Sequence, residues 1–296
     1  MIGWAGFCQQ RKYQGRCKLY SELLQKYPSL KEIRKFPKSG QKQVYLVHID
    51  DFGNVMLKVT DSMNERVQRE IQIVTENDIP NVPKILKYET FQDGGDTKYY
   101  SLEEYIEGQT LTELLKENTL TFSDKVNLLE TLLTIEVCLE KIKVVHRDIK
   151  PDNIICDTKG TFHLIDFGIA RALDLTSLTM TGISMGPHTP GYGAPELFQY
   201  EKRKIDNRAD LFSIGVVAYE AFLGKHPFKT GKEESLSEIW YETKTVMPQD
   251  YSISGDPEGM LMAFIQMLLQ KQVSKRPASA QQAKNWFDTI KGTLEM

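Results

Sequence analysis

Residues 144–168 read "VVHRDIKPDNIICDTKGTFHLIDFG". Within them "NIIC" and "TFHLI" are apolar runs on either side of the Gly-containing turn "DTKG", a pattern that predicts an antiparallel hairpin. Asn153 and Asp166 are equidistant from the middle of that turn, so the hairpin should set an amide oxygen across from a carboxylate at its open end. Ahead of the first strand, "HRDIKP" adds Asp148 and Lys150. Two adjacent oxygen ligands suit Mg²⁺, a hard cation that takes few protein ligands and completes its shell with water and phosphate oxygens. Asp148 is then placed to orient a nucleophile and Lys150 to neutralise charge on a transferred phosphoryl group. Any one of these residues alone is better read as a turn cap in a solvated loop. The four in this order point to phosphoryl transfer.

The rest of the chain sets the frame. With 296 residues, 41% apolar and 26% charged, it has the make-up of a soluble globular protein large enough for one large domain or two lobes. A net charge of −3 gives no electrostatic case for nucleic acid or an anionic membrane as partner, and short basic clusters such as "QYEKRK" read as solvated faces. Cys8, Cys17, Cys138 and Cys156 have no CxxC spacing, which fits a reducing, cytoplasmic location without structural zinc. The start "MIGWAGFCQQRKYQGR" lacks the apolar core of a secretory signal. The longest apolar stretch, "ADLFSIGVVAYEAFLG", is broken by Asp210, Ser213 and Glu220 and predicts a buried helix, with no membrane segment.

From about Lys38 to Ile106 the pattern is mostly of strands, with "QVYLVHI" and "NVMLKVT" joined by "DDFGN" and one polar helical segment, "SMNERVQREIQIV". After "EGQTL" the periodicity becomes helical, starting with "DKVNLLETLLTIEVCLEKI". The first 30 or so residues hold a helix-like "KLYSELLQKY" and stand apart. A second Asp-Phe-Gly, Asp51 to Gly53, falls in the turn between strands expected at 44–49 and 55–59, where Asp and Gly serve turn geometry. Only the copy at Asp166 lies at the open end of a hairpin.

"HRDIKPDN" (His146 to Asn153), "DFG" (Asp166 to Gly168) and "APE" (Ala194 to Glu196) resemble, in order and spacing, the catalytic loop, metal-binding and activation-segment motifs of eukaryotic-type (Hanks-type) serine/threonine protein kinases. The likeness runs from about Phe36 to Ile290. It implies an α+β, bilobal fold, with a small antiparallel sheet plus one helix as N-lobe (34–102), a hinge (103–108) and a mainly helical C-lobe (109–292), preceded by an extension over residues 1–33 that packs on the small lobe or docks a partner. It implies ATP and Mg²⁺ as cofactors, with Mn²⁺ as a substitute, and protein substrates.

Carried over residue by residue, the resemblance makes Asp148 the base, Asn153 and Asp166 the metal ligands, and Lys150 a contact to the γ-phosphate. Thr189 in "HTPGYGAPE" would bond the catalytic Asp and Lys. Asp210 matches a buried Asp that holds the catalytic loop, and Arg276 the arginine that pairs with Glu196. In the small lobe Lys58 would hold the α- and β-phosphates, partnered by Glu70, or failing that Glu65. Gly40, Lys42 and Val44 would cover the nucleotide, and Glu104 to Ile106 would meet the adenine edge. Arg147 before the catalytic Asp goes with phosphorylation of the activation segment, where Thr176, Ser177, Thr179, Thr181 and Ser184 are the candidates.

Several positions depart from the pattern. Pro37, Ser39 and Lys42 stand where a glycine-rich loop has its glycines; Met56 replaces a small residue; Glu103 occupies a back-of-pocket position usually apolar; and only 12 residues separate Lys58 from Glu70. The glycine loop and Glu103 leave a pseudokinase, a nucleotide-binding scaffold, as the alternative to an active enzyme. A small-molecule phosphotransferase is a third reading, disfavoured by the APE segment and Arg276.

Overall fold

A computed structural model describes residues 20–38, 42–61, 65–166, 190–198, 205–229, 231 and 235–296. The chain divides into two units, one running to Asp78 and resuming over Pro83–Glu107, the other made of Ile79–Val82 and Gly108–Met296.

The first unit is built on alternation. In strands β1 (Lys31–Lys35), β2 (Lys42–Ile49), β3 (Gly53–Thr60), β4 (Ile85–Asp93) and β5 (Asp96–Glu104), every second residue turns to the same side of the sheet. Tyr45, Val47 and Ile49 thereby share a buried face with Val55, Leu57, Val59, Tyr100 and Leu102. The strands pair antiparallel in the order β1-β2-β3-β5-β4. The β2–β3 turn is tighter than the sequence suggests. Ile49 pairs with Gly53, which adopts φ +70° at no steric cost, so the strands reach 42–49 and 53–60. Asp51 and Phe52 lie in that turn.

Two expected boundaries move. Residues 20–33 are not set apart from the sheet. The helix α1 (Ser21–Lys26) and the strand β1 belong to the first unit, because Leu23, Tyr27 and Leu30 form an apolar stripe buried in the sheet's core. The Tyr27 and Tyr100 hydroxyls lie 2.9 Å apart, Lys26 pairs with Glu89, and Glu22 accepts from the Gln92 amide. This unit therefore has a short helix besides the expected one, α2 (Glu65–Glu76). Residues Ile79–Val82 go with the second unit, where the Asn81 carbonyl accepts from the Leu164 amide at 2.9 Å.

The second unit holds a three-stranded sheet of β6 (Gly108–Thr110), β7 (Ile154–Asp157) and β8 (Phe162–Leu164), and helices α3 (Leu111–Glu117), α4 (Phe122–Lys141), α5 (Arg208–Leu223), α6 (Leu236–Thr245), α7 (Met260–Leu268) and α8 (Ala280–Lys291). Capping boxes start α3 at Thr110/Glu113 and α4 at Thr121/Asp124, satisfying amides that the first turn leaves over. Helix α5 buries every residue from Ala209 to Tyr219, as its nearly uninterrupted apolar sequence requires. Gly215 allows close packing there, since a Cβ on it would come within 2.8 Å of Leu268 Cβ.

Candidate active site

The loop ahead of β7 is fastened from below. Asp210, in the first turn of α5 and fully buried, accepts the His146 amide on Oδ2 at 2.5 Å and the Arg147 amide on Oδ1 at 2.8 Å. Burial pushes its carboxyl up to about 6, against the pull of the two amides. The loop's start is tied again by Asn207, whose Nδ2 donates to the Val144 carbonyl at 2.8 Å and to Glu136 Oε1 at 2.7 Å. Burial, with Asp210 nearby, holds the Glu136 carboxyl well above its usual range. The anchored loop carries unfavourable backbone at Arg147, and so does the chain at Asp166. Arg147 at φ +66° and Asp166 at φ +60° are both left-handed, which costs a non-glycine residue on the order of 1–3 kcal/mol.

On this scaffold Asp148 Oδ2 receives a hydrogen bond from Asn153 Nδ2 at 3.0 Å and lies 3.2 Å from Lys150 Nζ. Asn153 Nδ2 also donates to the Asp148 carbonyl at 2.9 Å. With its amino group committed twice to Asp148, the Asn153 amide leaves its oxygen for a cation. Hard oxygen donors from Asn153 and Asp166 suit Mg²⁺, and the residues present fit that ion.

The hairpin forms, with its register one residue from the expected one. The turn closes on Asp157, whose Oδ1 accepts from the Lys159 and Thr161 amides, both at 2.9 Å. Ile154 then pairs with Leu164, and the Ile165 amide donates to the Asn153 carbonyl at 2.8 Å. Asn153 thus faces Ile165, and Asp166 follows one residue beyond, at the same open end.

Further along, Arg276 and Glu196 form a bidentate pair, Nη1–Oε1 at 2.6 Å and Nη2–Oε2 at 2.8 Å, with the guanidinium wholly buried over the Phe212 ring. Beside the loop ahead of β7, Thr112, Leu115, Lys116, Pro151, Tyr192, Glu220 and Gly224 line a cavity of about 260 Å³. The Tyr192 hydroxyl donates to Glu220 Oε2 there at 2.6 Å. In the sequence Glu220 registers only as an interruption of an apolar helix.

In the first unit Lys58 Nζ lies 2.5 Å from Glu103 Oε2. The sequence pairs Lys58 with Glu70 instead; Glu70 falls within α2, but its side chain lies outside the described residues, as does that of Glu65. Val44 stands opposite Lys58 on β2, and Lys42 opposite Thr60 at the start of that strand. Glu103 and Glu104 both belong to β5; Glu104 pairs with Val55, and its Oε2 accepts the Lys84 amide at 3.0 Å. Ile106 follows in the connection to β6. Gly40, Thr176, Ser177, Thr179, Thr181, Ser184 and Thr189 lie outside the described residues.

Comparison with known proteins gives a consistent result. Residues 54–287 match the model of the protein kinase domain. The chain is similar to a probable serine/threonine-protein kinase PknB of Bifidobacterium longum, 31% identical over 227 residues, which is 74% of this chain and 32% of that protein. It is similar to serine/threonine-protein kinase PrkC of Bacillus subtilis, 30% identical over 67% of this chain and 30% of that one. It is also similar to serine/threonine-protein kinase 36 of Mus musculus, 32% identical over 93% of this chain and 18% of that one. The chain spans about a third of the length of the bacterial relatives it matches.

Proposed function

The chain belongs to the protein kinase family, and from that premise we propose that it transfers the γ-phosphoryl group of ATP to serine or threonine hydroxyls of protein substrates. The observation that carries the reading is the Asp148 carboxylate, held by Asn153 and Lys150 on a loop whose backbone is anchored by the buried Asp210. An orienting base needs a fixed direction, and this network supplies it.

In the proposed reaction the substrate hydroxyl oxygen attacks the γ-phosphorus and the bond to the β-phosphate bridge breaks, releasing ADP. Asp148 orients the hydroxyl and accepts its proton. Lys150, 3.2 Å from that carboxylate, offsets charge on the moving phosphoryl group. Asn153 and Asp166 would hold Mg²⁺, which when bound supplies charge neutralisation on the phosphates. Lys58 binds the α- and β-phosphates. The serine/threonine preference is supported by Lys150 two residues after the base and by the names of the similar proteins.

Regulation by phosphate on the activation segment, paired to Arg147, follows from the same reading. Cys138 and Cys156, both free thiols, support a reducing compartment such as the cytoplasm. Among the described residues no helix is long and apolar enough to cross a membrane. The test is transfer from radiolabelled ATP and Mg²⁺ to a generic basic protein. Asp148→Asn should lower kcat by about 10²–10⁴-fold, the usual worth of a positioned base. Equal labelling by both proteins would defeat the kinase reading.

A further inference from the structure

We infer that Glu103 is a positioning residue for Lys58, holding its ammonium from within the sheet so that nucleotide phosphates meet a cation already oriented. The inference rests on the reading of Lys58 as the phosphate-binding lysine.

The pair follows from register. Strands β3 and β5 run antiparallel with Met56 opposite Glu103 and Lys58 opposite Ser101, so Lys58 and Glu103 are diagonal neighbours on one face. Strand alternation places Val44, Met56, Lys58, Ser101 and Glu103 together on the side away from the core of Val47, Leu57 and Leu102. That face already carries the residues expected to meet the nucleotide.

The chemistry of the site explains the choice of residue. On that face Lys58 is only 13% exposed, and an ammonium so far removed from water requires a counter-charge. Glu103, 15% exposed, supplies it at 2.5 Å through Oε2, while its Oε1 accepts from Ser101 Oγ at 2.8 Å. Both carboxylate oxygens are used, so the carboxylate is itself oriented. A partner borne on a strand is fixed by the ladder bonds on both of its sides, β3 and β4. It therefore adds a contribution that does not depend on the placement of α2. The oddity of an acidic residue at this position is resolved as the second half of a charged pair.

The experiment uses the full chain. Dissociation constants for MgATP and for adenosine are measured by calorimetry, alongside KM and kcat, for wild type, Glu103→Gln, Ser101→Ala, Lys58→Met and the double variant Lys58→Met/Glu103→Gln. Glu103→Gln keeps the shape and removes the charge. It should weaken MgATP by about tenfold, the scale of one charge-assisted hydrogen bond, with adenosine affinity retained as evidence of an intact fold. The loss should appear in KM for ATP more than in kcat, and Ser101→Ala should shift it the same way by less. In the Lys58→Met background Glu103→Gln should have no further effect, because it acts through Lys58. Unchanged or tighter MgATP binding in Glu103→Gln, an equal loss for adenosine, or an undiminished effect without Lys58 would each overturn the inference. A wild-type chain that binds MgATP in this pattern yet transfers no phosphoryl group would defeat the kinase reading and leave the role of Glu103 standing.

Discussion

Asp210 accepts two backbone amides while removed from water, and burial outweighs them in setting its protonation, raising the carboxyl from 3.8 to about 6. A carboxyl raised on folding binds more protons in the native than in the unfolded chain between those two values. Its contribution to stability is therefore complete below about pH 4 and lost as the pH rises through about 6. Comparing urea midpoints of wild type and Asp210→Asn reads this group together with Glu136, whose carboxyl its charge helps to raise. The wild type's advantage should shrink between pH 4 and pH 6, and a pH-independent difference would show that Asp210 titrates normally. The residues of the candidate site could be gathered from the sequence because they are close in it: Asp148, Lys150 and Asn153 fall within six positions, and Asp166 lies one hairpin away. Glu103 could not be, since its meeting with Lys58 depends on the β3–β5 register between residues 45 positions apart. Neither residue has a local pattern that announces the other.

At the scale of elements, α1 and β1 are the parts whose role composition concealed. Leu23, Tyr27 and Leu30 are spaced for one face, yet six residues of helix and an exposed edge strand have no stability of their own. Their worth lies in covering Tyr100, Phe91 and the inner face of the sheet. Leu23 is fully buried, so Leu23→Ala should cost about 2–5 kcal/mol, measured by chemical denaturation. A loss below about 0.5 kcal/mol, the range of surface substitutions, would mean that the segment is not part of the core. The hairpin of β7 and β8 gives the complementary lesson. Its strands were readable from apolar runs, whereas its register was fixed by Asp157 accepting two turn amides, a detail that turn composition alone leaves one residue adrift.

For the molecule as a whole, long-range ties in the second unit converge on few residues. Arg276 donates to Glu196, to the Arg208 carbonyl and to the Gln270 carbonyl, joining segments up to 80 positions apart. Because its guanidinium is wholly buried, Arg276→Ala would strand the Glu196 charge and several carbonyls, and should cost about 3–5 kcal/mol. Thermal melting checks this, and an unchanged midpoint would refute it. The expected α+β class and the order of elements were open to reading because hydrophobic period changes near residue 110, from two to about three and a half. The division of the chain into units was less so, since Ile79–Val82 goes with the second unit, where the Asn81 carbonyl accepts the Leu164 amide of β8. The anchoring of the proposed catalytic loop on α5 has a consequence for heat inactivation. A loop held only by its own turns would loosen at temperatures where the rest of the protein is intact, and catalysis would fade early. Here the clamp on His146 and Arg147 sits on a helix buried along most of its length, so the capacity for turnover should persist until that helix itself lets go.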